Sequence, residues 1–161
     1  MRIATTLTGA MAGAVLLAGL AMTPAPARAQ ATCQGEPSDT KLHVIVEGVK
    51  EAKGLMTATL YGDDPAKFLK SKGELKVWRE PAKAPATDMC LWLPGPGTYA
   101  VAIYHDNKSA MRFTKGALGM PNQGYGFSRN PRIFLGPPGL KSASFQAAAG
   151  ETTEHIKLRY P

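Results

Sequence analysis

The stretch that decides the fold is Leu93-Pro94-Gly95-Pro96-Gly97-Thr98-Tyr99-Ala100-Val101-Ala102-Ile103-Tyr104-His105-Asp106-Asn107. Pro94-Gly95-Pro96-Gly97 cannot continue a strand, because proline lacks the ladder donor and glycine suits a tight reversal. After it Tyr99, Val101 and Ile103 alternate with Ala100 and Ala102. That period of two is the signature of a strand, and small residues opposite large ones predict a central strand covered on both faces. The same period recurs outward in both directions. Leu42, Val44 and Val46 alternate with Lys41, His43 and Glu47; Met56, Ala58 and Leu60 with Thr57 and Thr59; Leu75 and Val77 with Glu74 and Lys76; Met89, Leu91 and Leu93 with Asp88, Cys90 and Trp92; Ile156, Leu158 and Tyr160 with His155, Lys157 and Arg159.

Gly48 to Gly54 reads as a hairpin connection between the first two of these strands, a short helical turn is expected over Ala66 to Lys70, and Ala143 to Gln146 reads as one more short strand. No eleven-residue window keeps an apolar stripe of helical period. The expected fold is therefore all-β: an antiparallel two-sheet sandwich, immunoglobulin-like or transthyretin-like, of six to eight short strands, with a closed barrel as the alternative. Trp78 and Trp92 fall opposite their strands' apolar neighbours, which suits packing under loops or an exposed aromatic platform.

Between Asp106 and Lys141 the alternation fails, for longer than loops in compact domains usually run. Phe113, Tyr125, Phe127 and Phe134 supply buriable area that disordered segments lack, so one long ordered loop rich in glycine, proline and aromatics is expected. Gly124-Tyr125-Gly126 reads as a tight turn within it. The segment also holds the net charge. Residues 30 to 104 and 146 to 161 are each balanced, whereas residues 105 to 145 carry Lys108, Arg112, Lys115, Arg129, Arg132 and Lys141 against the single acid Asp106. Basic residues beside aromatics in one loop make His105, Asp106, Asn107, Arg112, Lys115, Tyr125, Phe127, Arg129 and Arg132 the candidate binding residues. Scattered cations that merely keep the chain soluble are the bland alternative.

The start of the chain indicates the compartment. Arg2 precedes an apolar run from Ala10 to Met22, and small-residue cleavage sites follow at Ala27-Arg28-Ala29 and Ala29-Gln30-Ala31. Residues 1–29 read as a cleavable signal peptide and residues 30–161 as a single domain, exported to the periplasm or secreted. The run falls short of the roughly 20 residues needed to span a bilayer, so no transmembrane segment is expected after cleavage. In an oxidising compartment the two cysteines, Cys33 and Cys90, are expected to pair and to staple the N-terminal tail to a strand.

The run from Leu93 to Asn107, with Leu118-Gly119-Met120-Pro121, Gly124-Tyr125-Gly126-Phe127-Ser128-Arg129-Asn130 and Leu135-Gly136-Pro137-Pro138, resembles the bacterial family catalogued as domain of unknown function 2141. The resemblance covers about Leu42 to Tyr160. It implies an exported β-sandwich of the transthyretin-like or carboxypeptidase-regulatory kind and brings no established activity. Many relatives carry a calcium-like acidic loop after the His-Asp pair. This chain has Lys108-Ser109-Ala110-Met111-Arg112 there instead, too few carboxylates for the six to eight oxygen ligands calcium takes.

No metal or other cofactor is expected, since neither His-x-His nor His-Glu-x-x-His spacing occurs. Ser128 lies one glycine short of a nucleophile elbow and reads as a turn serine. His43 and His155 fall on polar strand faces. His105 beside Asp106 can be drawn as an acid/base pair, or as a strand-end histidine with an aspartate and an asparagine bonded to loop amides. The expected function is a non-enzymatic binding module that meets an anionic envelope lipid or glycan. Export sets nucleic acid aside despite a pI of about 9.5, and protein partners cannot be read. The alternative is a hydrolase or lyase using His105, Asp106 and Ser128.

Overall fold

A computed structural model describes residues 32–116 and 119–161; the expected signal peptide lies outside them. Eight strands form: β1 (Thr40–Glu47), β2 (Leu55–Tyr61), β3 (Lys76–Pro81), β4 (Ala86–Trp92), β5 (Gly97–Asp106), β6 (Gly124–Phe127), β7 (Ser144–Ala147) and β8 (Gly150–Lys157), with one helical turn, α1 (Leu140–Ala143), before β7. They make two sheets rather than a closed barrel. The first has the order β4-β1-β8; the second runs β3-β2-β5-β6, with β7 also paired to β5. Ala100 of β5 pairs with Tyr61 on one side and Ser144 on the other, so β7 shares the β6 edge of β5.

The sandwich forms because each strand's apolar set faces the other sheet. Leu42, Val44, Val46, Met89, Leu91 and Ile156 from the first sheet meet Met56, Ala58, Leu60, Val101 and Ile103 from the second, all of them buried. β5 is covered on both faces, as its small residues predict. Ala100 joins Tyr61, Phe68, Phe127 and Ala143 in a second apolar cluster on the outer face. Among the described residues no helix is long and apolar enough to cross a membrane.

Several sequence expectations need correction. β1 and β2 are not a hairpin: β1 lies between β4 and β8, while β2 lies between β3 and β5. Alternation identifies the buried face of a strand and says nothing about which edge it pairs, so Gly48 to Gly54 crosses between sheets. β8 pairs with β1 in parallel, the exception in an otherwise antiparallel fold, because the chain enters β8 from the other sheet. Strand β3 is turned over, with Trp78 in the core and Leu75 and Val77 exposed, so the tryptophan outcompetes the valine for burial. Residues 66–70 form turns rather than a helix, and Leu69 adopts φ 57°. The long loop contains β6 and α1, so Gly124-Tyr125-Gly126 is strand and not turn.

Cys33 and Cys90, 57 positions apart in sequence, are bonded, with Cα atoms 4.3 Å apart. Beside them the Gln34 N–H donates to the Cys90 carbonyl and the Trp92 N–H to the Gln34 carbonyl, so the tail lies along β4 as well as being tied to it.

Candidate functional site

β5 ends by projecting successive residues to opposite faces, which separates His105 from Asp106. Asp106 is fully buried on the outer side. Its Oδ2 accepts from Met111 N–H at 2.7 Å and its Oδ1 from Gln123 Nε2 at 3.3 Å, while its backbone carbonyl takes Ser109 N–H. Gln123 in turn accepts Thr114 N–H at 2.9 Å. One aspartate and one glutamine therefore hold the β5–β6 loop from beneath. Among the described residues Asn107 bonds no loop amide; its Nδ2 donates to Glu51 Oε1, tying β5 to the β1–β2 crossing.

His105 faces the interior and is also buried. Its Nε2 lies 2.7 Å from the Lys53 carbonyl, which can only accept, so Nε2 carries the proton. Nδ1 shares a hydrogen bond of 2.8 Å with Tyr160 Oη, and that hydroxyl receives Lys50 N–H. Burial pushes the Tyr160 phenol above the ordinary tyrosine value, the Lys50 N–H draws it down, and nearby Glu51 adds to the rise. The histidine closes a chain of bonds among three segments.

Ser128 is equally engaged: Val101 N–H donates to its Oγ at 2.8 Å, and the hydroxyl donates to the Ala143 carbonyl. It is the turn serine expected, in the turn after β6 that the Asn130 N–H closes on the Phe127 carbonyl, and it is also fully buried and links β5 to α1. No hydrogen bond joins His105, Asp106 and Ser128, and each is held by a different part of the fold. Among the described residues no three His, Cys, Asp or Glu side chains converge as metal ligands would. His43 and His155 lie on an outer face beside Glu151 and Glu47. Trp78 is core, and Trp92 is half-buried with Lys41 Nζ 5.0 Å from its ring, so the two do not form a platform.

Strand β6 divides the basic segment. Lys108, Arg112 and Lys115 are exposed on the loop before it; Arg129 and Arg132 are exposed after it, and Lys141 lies on α1. Tyr125 points outward beside Tyr104, its partner across β5–β6, and Phe113 stacks edge-on against Tyr104 at 5.6 Å. Phe127, expected at a contact surface, is buried in the second cluster. Phe134, expected to be buried, is 84% exposed, and its neighbour Leu135 is 94% exposed. Met111 and Met120 are also open to solvent. The basic segment thus carries five of the protein's seven exposed large apolar side chains among the described residues.

A second feature lies where the edges of the two sheets meet. Beyond β8, Tyr125 and Arg159 exchange backbone bonds, and the Asn130 amide reaches both His155 O at 2.6 Å and Lys157 N–H at 2.8 Å. From 155 onward the β8 edge is therefore covered. Before it the edge opens into a shallow cleft of about 480 Å³, lined by Thr98 of β5, Ser144, Phe145 and Gln146 of β7, Thr152 and Glu154 of β8, and Arg129. Sequence reasoning placed Arg129 in the basic loop and missed Gln123, Asn130, Tyr160 and Glu154. The period of Ile156, Leu158 and Tyr160 extended backwards puts Glu154 on the inner face, a signal that was present.

The model of a family described as "Uncharacterized protein conserved in bacteria (DUF2141)" matches residues 44–155, from β1 into β8. No curated protein and no solved structure matches the chain.

Proposed function

The chain belongs to the DUF2141 family of uncharacterised bacterial proteins, a membership that assigns no activity, and we propose that it is an exported, non-enzymatic binding module that docks on anionic phospholipid through residues 105 to 145. The observation that carries this reading is the pairing of cations with exposed apolar side chains in one segment. Phe134 and Leu135 stand almost bare beside Arg132, and Met111, Phe113 and Met120 are exposed around Arg112 and Lys115. Cations that serve solubility alone need no such neighbours. A bilayer interface takes both, since headgroup phosphates attract the cations and the acyl boundary accepts the apolar groups. The Cys33–Cys90 bond supports export, because such bonds persist in oxidising compartments.

The magnitudes suit a reversible peripheral contact. Each cation near an anionic leaflet contributes about 1 kcal/mol, and full burial of a leucine or phenylalanine contributes roughly 1.5–3 kcal/mol. Co-sedimentation with phosphatidylglycerol vesicles at about 0.1 M salt, where charges are screened beyond ~10 Å, is the test. Replacing Arg112, Lys115, Arg129 and Arg132 with Gln should lower retention and its salt dependence. Phe134→Ser with Leu135→Ser should lower retention without changing the salt dependence. Both variants should melt near wild type. Equal retention of all three proteins would leave the cations as solubilising charge, and binding to acidic polysaccharide in place of vesicles would move the reading to a glycan.

A further inference from the structure

Glu154 is the one carboxylate on the inner face of its sheet, in register with Val44 and two positions from Ile156. It is only 9% exposed. A charge so placed is costly unless it is partnered. Among the described residues its single donor is Arg129 N–H, 3.0 Å from Oε2. One Lys–Asp ion pair and two His–carboxylate contacts occur among those residues, and neither Glu154 nor the Arg129 guanidinium takes part in any. An acid and a base thus line the same cleft without neutralising each other.

The rest of the lining is neutral, with Thr98, Ser144, Gln146 and Thr152 polar and Phe145 apolar. Gln146 Nε2 donates to Thr98 Oγ1 at 2.9 Å, leaving the Gln146 carbonyl oxygen to accept, and Thr152 adds a hydroxyl. The volume falls within the roughly 300–1,000 Å³ of small-molecule sites. We propose that this cleft binds a small zwitterion, a free α-amino acid or a short unblocked peptide, with its ammonium on Glu154 and its carboxylate on Arg129. A neutral sugar would satisfy the hydroxyls and leave both charges unpaired. A simple anion would meet Glu154 unfavourably. The cleft and the lipid surface overlap in sequence at Arg129, Ser144 and Phe145, and Arg129 is the one residue whose charge both readings use.

Titration of the isotopically labelled protein with L-Ala-L-Ala, N-acetyl-Ala-Ala, Ala-Ala-amide and cellobiose, followed by amide chemical shifts, tests the proposal. The unblocked dipeptide should shift Thr98, Arg129, Gln146, Thr152 and Glu154 together, and blocking either end should weaken binding by about ten-fold or more. Glu154→Gln still accepts the Arg129 N–H, so it should fold and yet lose the dipeptide. Arg129→Asn places a residue tolerant of positive φ at a position with φ 64° and should lose it as well. Glu154→Gln should keep wild-type retention on vesicles, which separates failure here from failure of the lipid reading. No shift at millimolar dipeptide, equal binding of the blocked peptides, undiminished binding by Glu154→Gln, or a stronger response to cellobiose would overturn the assignment.

Discussion

Asp106 shows how one side chain can organise a segment it barely adjoins in sequence. Its carboxylate reaches Met111 N–H and the Gln123 amide, so the ends of the β5–β6 loop are held by oxygens fixed at the end of a central strand. Asp106→Ala removes the acceptor of the part-buried Met111 N–H and leaves the Gln123 amide only the Arg112 carbonyl, at a cost of about 1–3 kcal/mol in all. Hydrogen exchange should accelerate across residues 108–116 and 119–123 while β1 and β4 keep their protection. Unchanged exchange in the loop would show that the loop is held by something else. The contrast with His105 is instructive, because the adjacent residue serves the opposite face and a different set of segments. Adjacency in sequence suggested an acid/base pair; strand geometry separates the two.

At the scale of elements, β6 marks where reading by period fails. Its four residues are Gly-Tyr-Gly-Phe, and with no side chain on the inner face there is no apolar alternation to detect. Both glycines are required by close approach: a Cβ on Gly126 would lie 2.7 Å from Ile156 Cγ2 and 2.9 Å from the Lys157 carbonyl, and one on Gly124 would enter the Tyr160 ring. Gly126→Ala should therefore cost on the order of 1–3 kcal/mol through overpacking, read as a lower denaturant midpoint. A wild-type midpoint would mean that β8 yields easily. β1, β2, β4, β5 and the core of β8 were legible because their inner faces are continuously apolar. Which strands pair, and the orientation of β3, were not legible, since those depend on competition between sheets for the same buried faces. Of the candidate site, the location of the charge was legible. The cleft was not, because Glu154, Thr98 and Gln146 come from three strands whose proximity exists only after pairing.

The molecule as a whole is two sheets whose opposite margins are secured by different means. On the β4 side the N-terminal tail is bonded covalently to the sheet. The Cys33–Cys90 bond spans 57 positions, and the chain-entropy account gives about 4 kcal/mol for a loop of that length. Cys33→Ser with Cys90→Ser should lower unfolding free energy by up to that amount and free the tail around Gln34, visible as loss of protection at Trp92, whose N–H donates to Gln34. If stability were equal with and without the bond, the tail's own pairing along β4 would be sufficient.

On the opposite margin the Asn130 side chain imitates one residue of a neighbouring strand, occupying the outward carbonyl of His155 and the outward N–H of Lys157. Unpaired sheet edges are templates for other chains, so this amide also governs how the protein behaves in a crowd of its own copies. Asn130→Ala should leave the fold intact and turn the β8 margin into a seam along which two molecules can join edge to edge. Light scattering should then rise with protein concentration in the variant and stay flat in the wild type. Equally flat scattering in both would assign the guarding of that seam to the charges of Glu151 and Lys157 instead.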